Sequence, residues 1–213
     1  MSRQSSGVEA PAQGASRPDL PAASASPAPA DPHVSGMQHS AWVERWLGTP
    51  AGNRRLLDFA SGGGRHARLA AAKGFRVLAV DRDTSFLGMR ESKNVEVRAE
   101  DLESGRWSFS AERFQAVVMT NFLFRPRLDL LARLLAPGGR LLVETFAAGN
   151  ERYGKPSNPM FLLQTDELFV AARRLGLQVV AFEQGFAASP RAALLQRVAA
   201  IKPPHDPESM PLA

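Results

Sequence analysis

Between residues 37 and 202 the chain alternates short aliphatic runs with segments whose apolar positions recur every three or four residues. That is the pattern of strands buried on both faces and joined by amphipathic helices. Ser40 followed by Trp42, Val43, Trp46 and Leu47 predicts a short helix at the start. Arg55–Phe59 (RLLDF), Arg76–Asp81 (RVLAVD), Val95–Arg98, Phe114–Thr120 (FQAVVMT) and Arg140–Glu144 read as strands. Helices are expected over Arg65–Lys73, closed by Gly74, and over Thr84–Arg90. Another is expected over Arg125–Leu135, with Pro126 in its first turn and Pro137, Gly138 and Gly139 ending it. A long loop, Thr145–Leu163, precedes a helix introduced by Thr165, Asp166 and Glu167 and running to Leu175. The last strands, Leu177–Phe186 and Arg191–Ile201, are joined by a link too short for a parallel crossover, so they form a hairpin. The fold class expected is α/β: a doubly wound seven-stranded sheet, mostly parallel, with one antiparallel strand near the C-terminus.

Composition bounds what this domain does. The 213 residues suit one domain with tails. Met1–Gly36 is two-thirds Ala, Pro, Ser and Gly and is expected to be disordered, because it holds too little apolar surface to offset the entropy of ordering. Glu9, Asp19 and Asp31 argue against a transit peptide there. Residues 203–213, with four prolines, form a second flexible tail, which leaves 37–202 as the folded unit. Zero cysteines exclude disulfides, thiolate metal sites and a cysteine nucleophile, and point to a reducing, cytoplasmic setting. No apolar run approaches the roughly 18 residues that span a bilayer, so no membrane partner is expected. The net charge of +5 raises the question of nucleic acid, but the arginines are scattered singly without interleaved aromatics, the pattern of a solvated surface.

The chemistry concentrates in Leu56–Asp83, a strand, a glycine-rich turn, a helix and a second strand ending in an acid. Glycines let backbone approach a ligand closely, and the helix start behind them offers amide donors. Asp81 stands 17 residues beyond Gly64, where a carboxylate accepts both hydroxyls of a ribose. A nucleoside-bearing cofactor follows. A pyrophosphate would be repelled by Asp58, four residues ahead of Gly62, whereas a ligand carrying ammonium and sulfonium charges would be attracted.

Asp58 to Gly64 (DFASGGG) resembles the first motif of class I S-adenosylmethionine-dependent methyltransferases, with Ala60 where that family most often has glycine. The resemblance implies a Rossmann-like fold and S-adenosylmethionine as cofactor. It assigns Asp81, with Arg82 beside it, to the ribose, and Asp101 with the Leu102 amide, in Ala99 to Leu102 (AEDL), to the adenine. Thr120, Asn121 and Phe122 match the motif facing the methionine moiety and the acceptor, and Leu134 to Leu142 (LLAPGGRLL) matches the turn into the fifth strand. The cofactor-binding set is therefore Asp58, Ala60, Gly62, Gly64, Arg65, Asp81, Arg82, Asp101, Leu102 and Asn121. The order of motifs, with Gly64, Arg65 and His66 at the helix start, also resembles the small tellurite-resistance and thiol methyltransferases.

Simpler readings stand beside these. Asp81 could cap the next helix, Asp101 could be a solvated loop acid, and Arg65 and His66 could be solvated helix-start residues. Trp42 and Trp46 could be core or lid. Methyl transfer needs alignment and dryness more than a base, and if a base is used His66, Glu144 or Tyr153 are the candidates. Acceptor choice is expected from the tryptophan-bearing first helix and from Asn150, Arg152, Tyr153 and Asn158 of the long loop. A folded unit with no added recognition domain favours a small-molecule acceptor over RNA or protein, and a nicotinamide-dependent oxidoreductase or an inactive nucleotide-binding relative is the remaining alternative.

Overall fold

The computed structural model describes residues 38–52, 54–85 and 93–205. The tail expected over 1–36, most of the helix expected over Thr84–Arg90, and the chain beyond 205 lie outside the described residues. Strands β1 (Arg55–Phe59), β2 (Arg76–Asp81), β3 (Val95–Ala99), β4 (Phe114–Thr120), β5 (Leu135–Phe146), β6 (Gln178–Ala187) and β7 (Ala193–Ile201) form one sheet in the order β3-β2-β1-β4-β5-β7-β6. Pairings from β3 through β5 are parallel. Strand β7 runs antiparallel to both neighbours, β5 and β6, so it is the one reversed strand.

Strand side chains alternate between two buried layers. Leu57, Leu78, Val117, Met119, Val143 and Val198 face helices α3 (Leu128–Leu134) and α4 (Glu167–Arg174). Leu56, Val77, Ala79, Val118, Leu142 and Ala199 face α1 (Ala41–Leu47) and α2 (Arg65–Ala72). Both layers are apolar because both sheet faces are covered.

Helix α1 has seven residues, too few to be stable alone. It is held from both ends by β5. The Arg140 guanidinium donates to the Trp46 and Leu47 carbonyls (3.2 and 2.9 Å), and Glu144 accepts from the Ser40 hydroxyl at 2.9 Å. Four strand residues span about 13 Å, close to the length of this helix with its caps. Trp42 and Trp46 are buried against the sheet with their rings 5.6 Å apart, which places them in the core, with both indole N–H groups lacking a hydrogen-bond partner among the described residues.

Three local expectations change. The helix over Arg125–Leu135 is a 3₁₀ turn, Arg125–Arg127, followed by α3, and Leu135 already belongs to β5. Pro137, Gly138 and Gly139 form an irregularity inside β5, where register jumps from Phe114 opposite Leu135 to Ala116 opposite Arg140. Thr165 does not start α4. Asp166 stands there with φ 58°, and the Leu168 amide is taken by Gln196 of β7 at 3.0 Å, a fully buried side chain from a distant strand.

A Cβ on Gly139 would lie 2.7 Å from the Ala136 carbonyl and 2.9 Å from that of Phe114, both backbone atoms. Gly139→Ala is therefore expected to destabilise the fold by about 1–3 kcal/mol, seen as a lower denaturant midpoint with an unchanged slope.

Candidate functional site

The C-terminal ends of β1, β2, β4 and β5 converge on the glycine turn. Their parallel register places Asp58, Thr120 and Glu144 at one end and on the α1–α2 face, since they continue the rows of Leu56, Val118 and Leu142. Three charged or polar groups near one another in a buried place need partners, and the structure treats them differently.

Glu144 is compensated. Its Oε2 accepts the Ser40 hydroxyl and forms an ion pair with Arg197 Nε at 2.7 Å. His66, 2% exposed, accepts the Ser40 amide at Nε2 (3.1 Å), so its proton sits on Nδ1, 3.3 Å from the Thr120 hydroxyl. Burial, aided by the charges of Arg65 and His39, pushes its pKa down to about 3, and the ring stays neutral. Tyr153 is 43% exposed on the long loop, 5.1 Å from the Phe186 ring. His66 and Glu144 thus belong to one polar cluster, with both Glu144 contacts on Oε2, and Tyr153 packs on Phe186 of β6.

Asp58 is only partly compensated, by the charges of Arg65 and Arg68 at a distance and not by a side-chain hydrogen bond. It is 1% exposed, its Oδ2 has no hydrogen-bond partner among the described residues, and burial raises its pKa to about 7 despite the Ala67 amide and Arg65. Beside it the turn is open: a Cβ on Gly62 or Gly63 would meet nothing within 4 Å. Ala60, Gly62 and Gly64 have φ of 57°, 50° and 71°. The left-handed backbone at Ala60 explains why glycine suits that position, and alanine bears a strain of about 1–2 kcal/mol there.

Across the turn, Asp81 Oδ2 accepts the Gly62 amide at 2.8 Å and Oδ1 accepts the Asp83 amide at 3.1 Å. The Asp81 carbonyl accepts the Glu100 amide at 3.0 Å, which brings the loop after β3 alongside. In that loop Asp101 accepts the Glu103 amide and the Ser104 hydroxyl, both at 2.9 Å, and these bonds hold its pKa below the usual carboxylate value, with Arg82 and Arg127 contributing. Leu102 is buried in the core and its carbonyl accepts the Trp107 indole. Asn121, at φ 55°, ends β4 with its amide on the Glu144 carbonyl. Arg65 reaches the Gln38 carbonyl (3.2 Å) and the Thr120 hydroxyl (3.4 Å), near Asp58 and Glu144. The ten residues nominated from sequence therefore lie on the glycine turn, at the ends of β1, β2 and β4, and on the loop after β3.

The long loop behaves differently from expectation. The Ala147–Leu163 bridge fastens its two ends side by side. Asn150, 1% exposed, donates to the Pro156 carbonyl and accepts the Leu194 amide, and Asn158 caps the 3₁₀ turn Pro159–Phe161. Arg152 donates to the Gly149 carbonyl. These polar groups shape the loop instead of reaching for a substrate. Two residues that sequence reasoning missed, Arg197 and Ser40, complete the polar cluster, and only strand pairing and helix docking bring them there.

Asp58 and His66 make opposite contributions to stability against pH. Asp58, with its folded pKa raised from 3.8 to about 7, withdraws stability as pH rises between those values. His66, depressed from 6.5 to about 3, adds stability as pH rises between those values. The two nearly cancel between about pH 4 and 6.5. Asp58→Asn is expected to grow more stable with rising pH across that window and His66→Gln less stable, in denaturation series at each pH, while the parent stays flat.

A family model for a methyltransferase domain matches residues 37–182. No curated protein matches the sequence. Among solved structures, the S-adenosylmethionine dependent methyltransferase from Mesorhizobium loti superposes with a TM-score of 0.60 at 13% identity, covering 75% of this chain and 96% of that one. TehB from Haemophilus influenzae gives 0.55 at 18%, covering 71% of this chain, which spans only 58% of TehB. Geranyl diphosphate C-methyltransferase from Streptomyces coelicolor gives 0.55 at 16%, covering 74% and 76%. These likenesses are of fold, and together with the match over 37–182 and the open turn between a buried acid and a second strand-end acid they place the chain in the class I S-adenosylmethionine-dependent methyltransferase family.

Proposed function

We propose that residues 37–202 transfer a methyl group to a small molecule whose accepting atom is a sulfur or nitrogen. The observation that carries the cofactor half is the unpartnered Asp58 Oδ2 beside the uncrowded Gly62–Gly63 backbone. A buried carboxylate with no side-chain hydrogen bond is costly, and a positively charged ligand group laid against it would offset that cost. S-adenosylmethionine, when bound, supplies an electrophilic methyl carbon on a positively charged sulfur.

The chain's own residues then divide the work. Asp81, whose oxygens each retain a lone pair after accepting Gly62 and Asp83, takes the ribose hydroxyls. Asp101, held in place by its own turn, accepts from the adenine amino group, with the Leu102 amide beside it and Arg82 near enough to favour the charged carboxylate. Arg65, at the start of α2, faces the methionine carboxylate. Ala60, Gly64 and Asn121 hold the backbone close in left-handed conformations, and Gly62 presents its open side.

The acceptor half rests on the bases. His66 spends its free lone pair on the Ser40 amide and Tyr153 packs on Phe186, so an alcohol, which must lose its proton to react, is served less well than an acceptor that is nucleophilic without a base. A thiol, which ionises near neutral pH, or a neutral amine needs none. The cavity of about 160 Å³ beside Asn121 suits a small molecule over RNA or protein. No helix among the described residues is long and apolar enough to cross a membrane.

Calorimetric titration with S-adenosylhomocysteine and with NADH, followed by a screen of thiols, amines and phenols for methylated product, tests the reading. Binding of the first ligand and methylation of a thiol or amine are expected; tight NADH binding with neither would overturn it. Asp81→Ala should weaken S-adenosylhomocysteine by roughly tenfold or more while near-ultraviolet circular dichroism remains native, and unchanged affinity would remove the ribose assignment. Because Asp58 ionises near pH 7, affinity for S-adenosylhomocysteine should climb between about pH 6 and 8, and Asp58→Asn should bind weakly with a flat profile.

A further inference from the structure

Beyond the cofactor site, the ends of β4 and β5 and the long loop enclose a cavity of about 160 Å³. Its walls are Phe122, Leu123, Phe146, Pro156 and Phe161. Its polar positions are Asn121, Thr145 and Glu103, of which only Glu103 is charged. Asn121, the strand-end residue of the cofactor set, lines it directly, so the cavity adjoins the place where the methyl group would be presented.

The outer wall is set by a residue that touches neither. Arg125 lays its Nε and Nη2 on the two carboxylate oxygens of Glu167 at 2.5 and 2.8 Å. Its Nη1 donates to the Met160 carbonyl at 2.6 Å and its Nη2 to that of Leu162 at 2.7 Å. Those carbonyls flank Phe161, which is itself 43% exposed and lines the half-open cavity. One planar fork thus locks the loop on both sides of the ring, and the geometry requires a guanidinium, since an ammonium cannot match a carboxylate and two carbonyls in one plane.

We infer that this cavity is the acceptor site, that it takes a compact uncharged nucleophile with an apolar body about the size of one aromatic ring, and that Arg125 is a positioning residue that sets the size limit through Phe161. The inference rests on the methyltransferase reading above. An apolar cavity of about 150 Å³ is enough to admit benzene. A carboxylate acceptor would meet Glu103 and five apolar walls with no cation lining the space, and is excluded, whereas a thiol enters in its uncharged S–H form.

The test uses the full chain saturated with S-adenosylhomocysteine at about pH 5.5, where aromatic thiols and aniline are uncharged and benzoate is ionised, and reads binding of thiophenol, aniline, benzoate and a naphthalenethiol by saturation-transfer NMR, together with S-adenosylhomocysteine affinity by calorimetry. Thiophenol and aniline are expected to bind; benzoate and the naphthalenethiol are not. Phe161→Trp should weaken thiophenol by roughly tenfold, and Phe161→Ala should admit the naphthalenethiol, both with unchanged S-adenosylhomocysteine affinity. Arg125→Lys should narrow the preference for thiophenol over the naphthalenethiol, a ratio that a merely structural role would not move, and Arg125→Ala should narrow it further. Loss of S-adenosylhomocysteine binding by the parent chain would overturn the methyltransferase reading and this inference with it. Retained S-adenosylhomocysteine binding with no thiophenol or aniline binding, with thiophenol binding unaffected by Phe161→Trp, or with an unaltered ratio in Arg125→Lys, would overturn the inference alone.

Discussion

The Glu144 carboxylate is the point on which the site's architecture turns. A buried carboxylate is tolerated only when other groups neutralise and hydrogen-bond it, and here those groups come from distant parts of the chain: Ser40 ahead of α1 and Arg197 on β7. Satisfying one charge therefore docks a helix and registers a strand. Ser40 also donates its amide to His66, so the same node fixes the first turn of α2, directly behind the glycines. Losing Arg197 would leave a nearly buried carboxylate without its counter-charge, and losing the Ser40 hydroxyl would remove its hydrogen-bond donor and the tie to a marginal seven-residue helix.

Asp58 is the counterpart, a few strand positions away and left unpaired. Its raised pKa, the positive φ at Ala60 and Asn121, and the exposed glycine turn gather in one region. Local costs of this kind persist where surrounding structure over-determines them, and they are the expected mark of a site prepared for a ligand. The opposing pH contributions of Asp58 and His66 keep that cost from appearing as a strong acid or base lability of the fold.

On the acceptor side, polarity in the sequence is a poor guide to contact. Asn150, Arg152 and Asn158 read as substrate handles, but a loop of this length turned back on itself exposes its own amides and carbonyls, and these side chains satisfy them. The loop residues that line the cavity are Thr145, Phe146, Pro156 and Phe161, and the arginine that holds the carbonyls on either side of Phe161 lies on another element.

The sequence by itself determined the layered α/β sheet, the place of the reversed strand, and the cofactor turn with its flanking acids, because each is written in local periodicity, in glycine's conformational freedom and in the spacing of strand ends. Strands β1, β2 and β4 begin and end where their aliphatic runs do. What the sequence misplaced were features set by partners far along the chain. The Pro137–Gly139 stretch reads as a helix stop but becomes an irregularity in β5 because β4 pairs on both sides of it, and the amide at the start of α4 is capped by Gln196 instead of Thr165. His66 and Glu144 look like reactive groups until α1 docks and uses them. Only tertiary structure decides those roles, since a hydrogen bond between residues a hundred positions apart leaves no pattern in either neighbourhood.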